Sequence, residues 1–144
     1  MRNEQQTETD RHRAASAIQG AERGINGKPY DLGKRTKQFA LRVIRLVEAL
    51  PKTETGRVIG RQLMRSGTSV GANYRAAARA RSRAEFIAKM GLVEEEVDEA
   101  SYWMELLAEA HVVKKESLEP LMREADELAV ICVSSITTAR GKRR

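Results

Sequence analysis

Arg57, Arg61 and Arg65, then Arg75, Arg79 and Arg83, recur every four residues in a stretch whose apolar residues have helical spacing. At about 100° per residue, a continuous helix brings all six within an arc of about 80°. Guanidinium groups aligned in this way are suited to phosphates, which they grip through paired N–H donors while counterion release supplies affinity. Arg42 and Arg45, together with Lys34 and Arg35, stand on the non-core face of the preceding helical stretch and extend the positive field. The terminal Gly141-Lys142-Arg143-Arg144 adds to it. The six arginines of the row, with Arg42 and Arg45, are therefore the candidate nucleic-acid contacts.

Other chemistry fails on spacing. A di-metal carboxylate site in a helical bundle needs Glu-x-x-His on two helices. His12 lies in the polar N-terminal stretch, and Ala108 occupies the required position before His111. A nuclease pattern of the Arg-x(4–6)-His type also fails, because no arginine stands at that distance from His111. The run Glu94-Glu95-Glu96-Val97-Asp98-Glu99 reads as a solvated helix face. Cys132 has no basic neighbour in its turn and falls on an apolar seam, as a buried small hydrophobe does. Ser66, Thr68 and Ser69 have no histidine near them in sequence. The residues give no reason to expect catalysis, a metal or a cofactor.

The elements that must position these side chains follow from apolar periodicity. Asp31 is a plausible helix cap, and Leu32, Phe39, Val43, Leu46 and Leu50 form a stripe that ends at Pro51. Thr53 or Thr55 caps a second helix with the stripe Ile59, Leu63, Val70, Tyr74 and Ala77, running to about Ser82. The third carries Phe86, Met90, Val93, Val97, Ala100, Met104 and Leu107 and stops near His111 to Val113. Ser117 opens a fourth with Pro120 in its first turn; Leu121, Ala125, Leu128, Cys132 and Ser135 form its seam. The expected fold is all-α: an antiparallel up-down-up-down four-helix bundle over residues 30–141. Residues 1–29 are nearly devoid of large apolar side chains and are expected to be a polar, disordered tail, with at most a short helix around Arg13 to Arg23. Residues 142–144 are a basic tail.

Composition fits this picture. Among 144 residues, 41% are hydrophobic but only 4% aromatic, so the core is aliphatic, as in helix-on-helix packing. A single cysteine and the lack of any apolar run near 18 residues point to a cytoplasmic protein with no membrane span.

The net charge of +6 conceals a segregation. Residues 31–83 hold 13 Lys/Arg against 3 Asp/Glu, whereas residues 84–139 hold 4 against 13. Two readings follow. The basic hairpin binds nucleic acid, or it pairs with the acidic hairpin, within the bundle or between copies, so that the charges serve assembly or a protein partner. Glu94, Asp98, Glu105 and Glu109 lie beside the apolar stripe, where a facing helix could meet them. The only aromatics are Tyr30, Phe39, Tyr74, Phe86, Tyr102 and Trp103, without the basic interleaving of single-strand binders, so nucleic-acid binding would be driven by the backbone. Tyr102 and Trp103 adjoin Met104, and the three cannot all face one core. The first two are candidates for an oligomer interface.

Gly60, Gly67 and Gly71 interrupt the second helix, each at a cost of about 1 kcal/mol relative to alanine. They signal close helix packing or a kink, or else a surface opened to a partner. The stretch around them, Arg-Ser-Gly-Thr-Ser-Val-Gly-Ala-Asn-Tyr-Arg-Ala-Ala at residues 65–77, resembles the signature of the 23S rRNA intervening sequence proteins. The same family includes the accessory variability proteins of diversity-generating retroelements. The order of motifs agrees: Tyr30-Asp31-Leu32 before the signature and Glu85-Phe86-Ile87 after it. The resemblance covers about residues 30–140. It implies an antiparallel four-helix bundle assembled as a homopentamer without settled biochemical activity. The retroelement members imply a basic adaptor that binds a reverse transcriptase and nucleic acid.

Overall fold

A computed structural model describes the chain over residues 4–21 and 31–141. Five helices account for almost all of these residues: α1 (Glu4–Ala21), α2 (Leu32–Ala49), α3 (Glu54–Ala78), α4 (Arg83–Glu109) and α5 (Lys115–Ala139). No strand occurs among the described residues. The connectors between α2, α3, α4 and α5 are short, so successive helices run antiparallel. None of the described helices is long and apolar enough to cross a membrane.

Local chemistry fixes most of the boundaries. Asp31 accepts a hydrogen bond from the Lys34 backbone N–H at 3.1 Å and holds a left-handed φ of 42°, a conformation that Asp tolerates. Thr53 caps α3 through the Gly56 N–H at 3.1 Å. Ser82 does the same for α4 through Glu85, whose carboxylate accepts in turn from the Arg81 N–H. Two boundaries differ from expectation. α3 stops at Ala78 rather than near Ser82, because its last turn tightens through Arg79 N–H to Ala76 O and Ala80 N–H to Ala77 O. α5 begins at Lys115, two residues before Ser117, which puts Pro120 beyond the first turn. Pro120 is solvent-exposed, so water can satisfy the carbonyl that its missing N–H leaves open.

The core lies between α2, α3, α4 and α5. All seven stripe residues of α4, from Phe86 to Leu107, are buried, as are Leu121, Ala125, Leu128, Cys132 and Ser135 of α5. The polar members of this core, Thr36, Ser66 and Ser135, each donate to a carbonyl one turn back in their own helix, so they are buried without loss of a hydrogen bond. α3 is uninterrupted through its glycines. A Cβ on Gly67 would lie 2.7 Å from Val43 Cγ1, and one on Gly60 would lie 3.1 Å from Leu50 Cδ1. Close packing of α2 against α3, rather than a kink, accounts for both residues.

The tail expected over residues 1–29 is corrected in part: Glu4–Ala21 is a helix packed against α4 and α5, with Ala14 buried. Its alanines, glutamates and glutamines are good helix formers, and a small residue suffices for close contact with the bundle. Residues 22–29 lie outside the described residues.

Candidate nucleic-acid interface

The basic and acidic halves of the sequence become adjacent helix pairs, α2 with α3 and α4 with α5. Arg57, Arg61, Arg65 and Arg75 are all exposed on α3. Arg57 and Arg75 stand about 27 Å apart along its axis, at 1.5 Å per residue. The row breaks there. Arg79 is the C-cap of α3 and Arg83 is the first residue of α4, so the six arginines do not share one helix. The antiparallel connection nevertheless keeps Arg79 and Arg83 at the end of the bundle that Arg75 approaches. Arg81 stands beside them in the α3–α4 connector, and that end also receives the start of α2 and the end of α5, which bring Lys34, Lys37 and Arg140 to it. Arg83 Nη1 stands 4.0 Å from where a Cβ on Gly141 would lie. Lys37 and Arg81 are not apparent from the four-residue spacing of the row. The signal for Lys37 is topological, because every second helix end in an antiparallel bundle falls on the same side, whereas Arg81 lies in the connector between Arg79 and Arg83.

Arg42 and Arg45 sit elsewhere. They line a shallow depression with Leu46, Ser117 and Leu118, where α2 meets the start of α5, and so lie on the flank of α2 away from α3.

Two arginines are engaged inside the bundle. Arg35 clips α2 to α5: its Nε donates to Glu124 Oε1 at 3.0 Å, and its Nη2 donates to Glu124 Oε2 at 3.0 Å and to Glu127 Oε2 at 2.7 Å. Burial opposes this charge, but the hydrogen bonds to Glu127 and Glu124 outweigh it and hold the guanidinium pKa above its ordinary value. Arg65 reaches across to α4, donating to Glu99 and approaching Glu96 Oε2 at 3.5 Å. The hydrogen bond from Arg65 holds the Glu99 carboxyl below the usual carboxylate range. Desolvation, followed by the Glu99 charge, pushes Glu96 up. The acidic run is therefore not uniformly solvated, since two of its members face a cation of the neighbouring helix. Among the described residues, Arg42, Arg45, Arg57, Arg61, Arg75, Arg79 and Arg83 form no ion pair.

The two interface candidates part company. Tyr102 is 51% exposed, whereas Trp103 is half-buried against the core, and their rings meet edge to face with centroids 5.1 Å apart. Leu92 on the same helix and Val130 and Val133 on α5 are also exposed. Cys132 is buried, and burial, followed by the charge of Glu94, pushes its thiol up to about 12. Among the described residues no cluster of three or more His, Cys, Asp or Glu side chains could hold a metal. His111 occupies the left-handed position just past α4, with φ 57°.

Residues 29–134 match a family model described as 23S rRNA-intervening sequence protein. The chain is also similar to a crystal structure of a protein of unknown function from the S23 ribosomal protein family of Bacteroides thetaiotaomicron. The TM-score is 0.69 at 34% sequence identity, and the alignment covers 73% of this chain and 97% of the other. No curated protein matches the chain. The matched region spans the glycine-bearing signature on α3, the first hairpin and most of the second, ending within α5, and does not include α1.

Proposed function

The chain belongs to the 23S rRNA-intervening sequence protein family, and from that premise we propose that it is a non-enzymatic, oligomeric adaptor that binds the phosphate backbone of RNA or DNA through its basic surface. The observation that carries this reading is the division of labour among the cations. Arg35 and Arg65 are spent on acidic helices, while Arg57, Arg61, Arg75, Arg79 and Arg83 stay exposed without an ion pair among the described residues. Exposed like charges on one side of a bundle repel one another and weaken the fold slightly, and a polyanion relieves that repulsion while it gains contacts. Recognition of this kind follows backbone charge rather than base sequence. A buried lone thiol fits a reducing cytoplasm. Assembly as a homo-oligomer, the pentamer that the family resemblance implies, would repeat the basic surface around a ring and multiply the affinity of each copy. A reverse transcriptase is the protein partner implied by the retroelement members.

A second reading has its own support. The ion pairs of Arg35 with Glu124 and of Arg65 with Glu99 join the two hairpins and support this reading, and exposed Tyr102, Leu92, Val130 and Val133 are suited to self-assembly. On that reading the protein is a scaffold whose charges serve contacts between proteins.

Fluorescence anisotropy with labelled structured RNA and duplex DNA separates the two when the mass of each variant is measured alongside. The adaptor reading expects Arg75→Glu with Arg79→Glu to weaken binding about tenfold or more at unchanged mass. Unchanged affinity removes those residues from the account, and a lost oligomer with no change in affinity per subunit moves the weight to the scaffold.

A further inference from the structure

Beyond the exposed row, α2 and α3 leave a cleft of about 790 Å³ between them at the basic end of the bundle. Lys34 and Lys37 line it from α2 and Arg75 from α3, while Gly33, Gly71 and Ala72 give it small-residue surfaces. The one acid that lines it is Asp31, one oxygen of which caps α2 by accepting from the Lys34 N–H, and its single negative charge is outnumbered by the three cations. Lys34, Lys37 and Arg75 form no ion pair among the described residues.

Glycine contributes twice here. At Gly71 a hypothetical Cβ would make only ordinary contact, 3.5 Å from the Thr36 carbonyl oxygen of α2, so the missing side chain leaves the cleft open there, and Gly33 keeps the facing turn of α2 bare. Bulky side chains at these positions would fill the space between the cations. As built, the cations surround a recess rather than project from a convex surface. Low-dielectric walls concentrate the field of like charges, and an anion seated in a recess meets several donors at once.

Resting on the backbone-binding reading above, we propose that this cleft is the seat of one phosphodiester group of the bound nucleic acid. Arg75 and Lys37 contact its non-bridging oxygens, and the adjoining sugar lies against Gly71 and Ala72. The exposed Arg57 and Arg61, farther along α3, hold the flanking backbone as it leaves the cleft. Binding thus depends on the shape of this one place as well as on total charge.

The test separates shape from charge. Ala72 is exposed on a helix and leucine is a good helix former, so Ala72→Leu obstructs the cleft without altering any charge. Lys37→Glu, also at an exposed position, reverses one wall. Anisotropy titrations use a short labelled oligoribonucleotide against full-length protein, with thermal midpoints confirming that each variant is folded. The proposal expects Ala72→Leu to weaken binding about five- to tenfold, and Lys37→Glu to weaken it at least as much with a salt slope shallower by about 1. If Ala72→Leu binds like the unaltered protein while Arg57→Glu with Arg61→Glu binds weakly, the cleft is not a seat and only the exposed row binds. If the unaltered protein binds no oligoribonucleotide even at low salt, the backbone reading itself falls. Tripolyphosphate that displaces the oligoribonucleotide at equal phosphate concentration would make free polyphosphate the ligand, and would overturn the assignment to a nucleic-acid backbone.

Discussion

Replacing Gly67 by alanine measures how tightly α2 and α3 are pressed together. The added Cβ would lie 2.7 Å from Val43 Cγ1, 2.8 Å from Cγ2 and 3.0 Å from Cβ. Val43 is fully buried and β-branched, so it cannot rotate away from the intruding methyl. Relief requires the helices to separate, and overpacking of this kind costs about 1–3 kcal/mol. Alanine returns about 1 kcal/mol of helix propensity, so the net loss is about 0–2 kcal/mol. Gly71→Ala is the internal control. Its Cβ would meet Thr36 O and Oγ1 at 3.5 Å, an ordinary contact, so the propensity gain of about 0.5–1 kcal/mol should survive. The two single variants should thus differ by about 1–3 kcal/mol in urea unfolding followed by circular dichroism, at equal protein concentration and with unchanged m values. Adding Val43→Ala to Gly67→Ala should recover part of the loss, through a favourable coupling of about 0.5–3 kcal/mol. If Gly67→Ala proves as stable as Gly71→Ala, close approach of the helices is not the reason for Gly67.

Four further outcomes follow from the ion pairs and the core thiol. Glu99 has a depressed pKa, so its contribution is present above the unfolded carboxyl range and is lost as pH falls through the folded value; Glu99→Gln should cost about 0–1 kcal/mol at neutral pH and nothing in acid. Glu96 has a raised pKa, so its ionised form disfavours the fold; Glu96→Gln should be neutral or slightly stabilising at neutral pH, with the gain disappearing as pH falls through the raised value, read from urea midpoints across pH. Arg35→Gln, which unclips α2 from α5, should lower stability by about 1–2 kcal/mol, and by less at high salt, in the same assay. Cys132, buried and raised to about 12, should resist thiol reagents at neutral pH in the folded protein and react promptly in denaturant; equal rates would contradict its placement in the core.

Much of the fold is legible because the stripes are regular. From Phe86 to Leu107 every expected seam residue is buried, and an aliphatic sequence with capped ends leaves few alternatives to antiparallel helices. What periodicity could not reveal was the break after Ala78. Alanines and arginines favour helix on both sides of it, and only the later competition between a tightened α3 end and the Ser82 cap decides the boundary. Arg79 and Arg83 move with that decision. The helix at Glu4–Ala21 escaped for a different reason: it docks through a residue as small as Ala14, which leaves almost no hydrophobic signal. Within the candidate interface, the four arginines of α3 were legible from spacing alone. The withdrawal of Arg65 into Glu96 and Glu99 depends on how α3 and α4 align, which no single helix encodes. Lys37 likewise joins the basic end only once the chain has turned back on itself.

The claim that exposed cations on α3 and at the adjoining end of the bundle hold a nucleic-acid backbone is tested most directly by the salt dependence of RNA affinity. With Arg75 and Lys37 sharing one phosphate and Arg57 and Arg61 holding two more, about three phosphates per subunit, a plot of log affinity against log salt should fall with a slope of about −2 or steeper for single strands. Each charge reversal among these residues should make the slope shallower by about 1 while sedimentation reports an unchanged assembly. A flat slope, or no binding at low salt with the assembly intact, would contradict the account and leave the charges to hold proteins together.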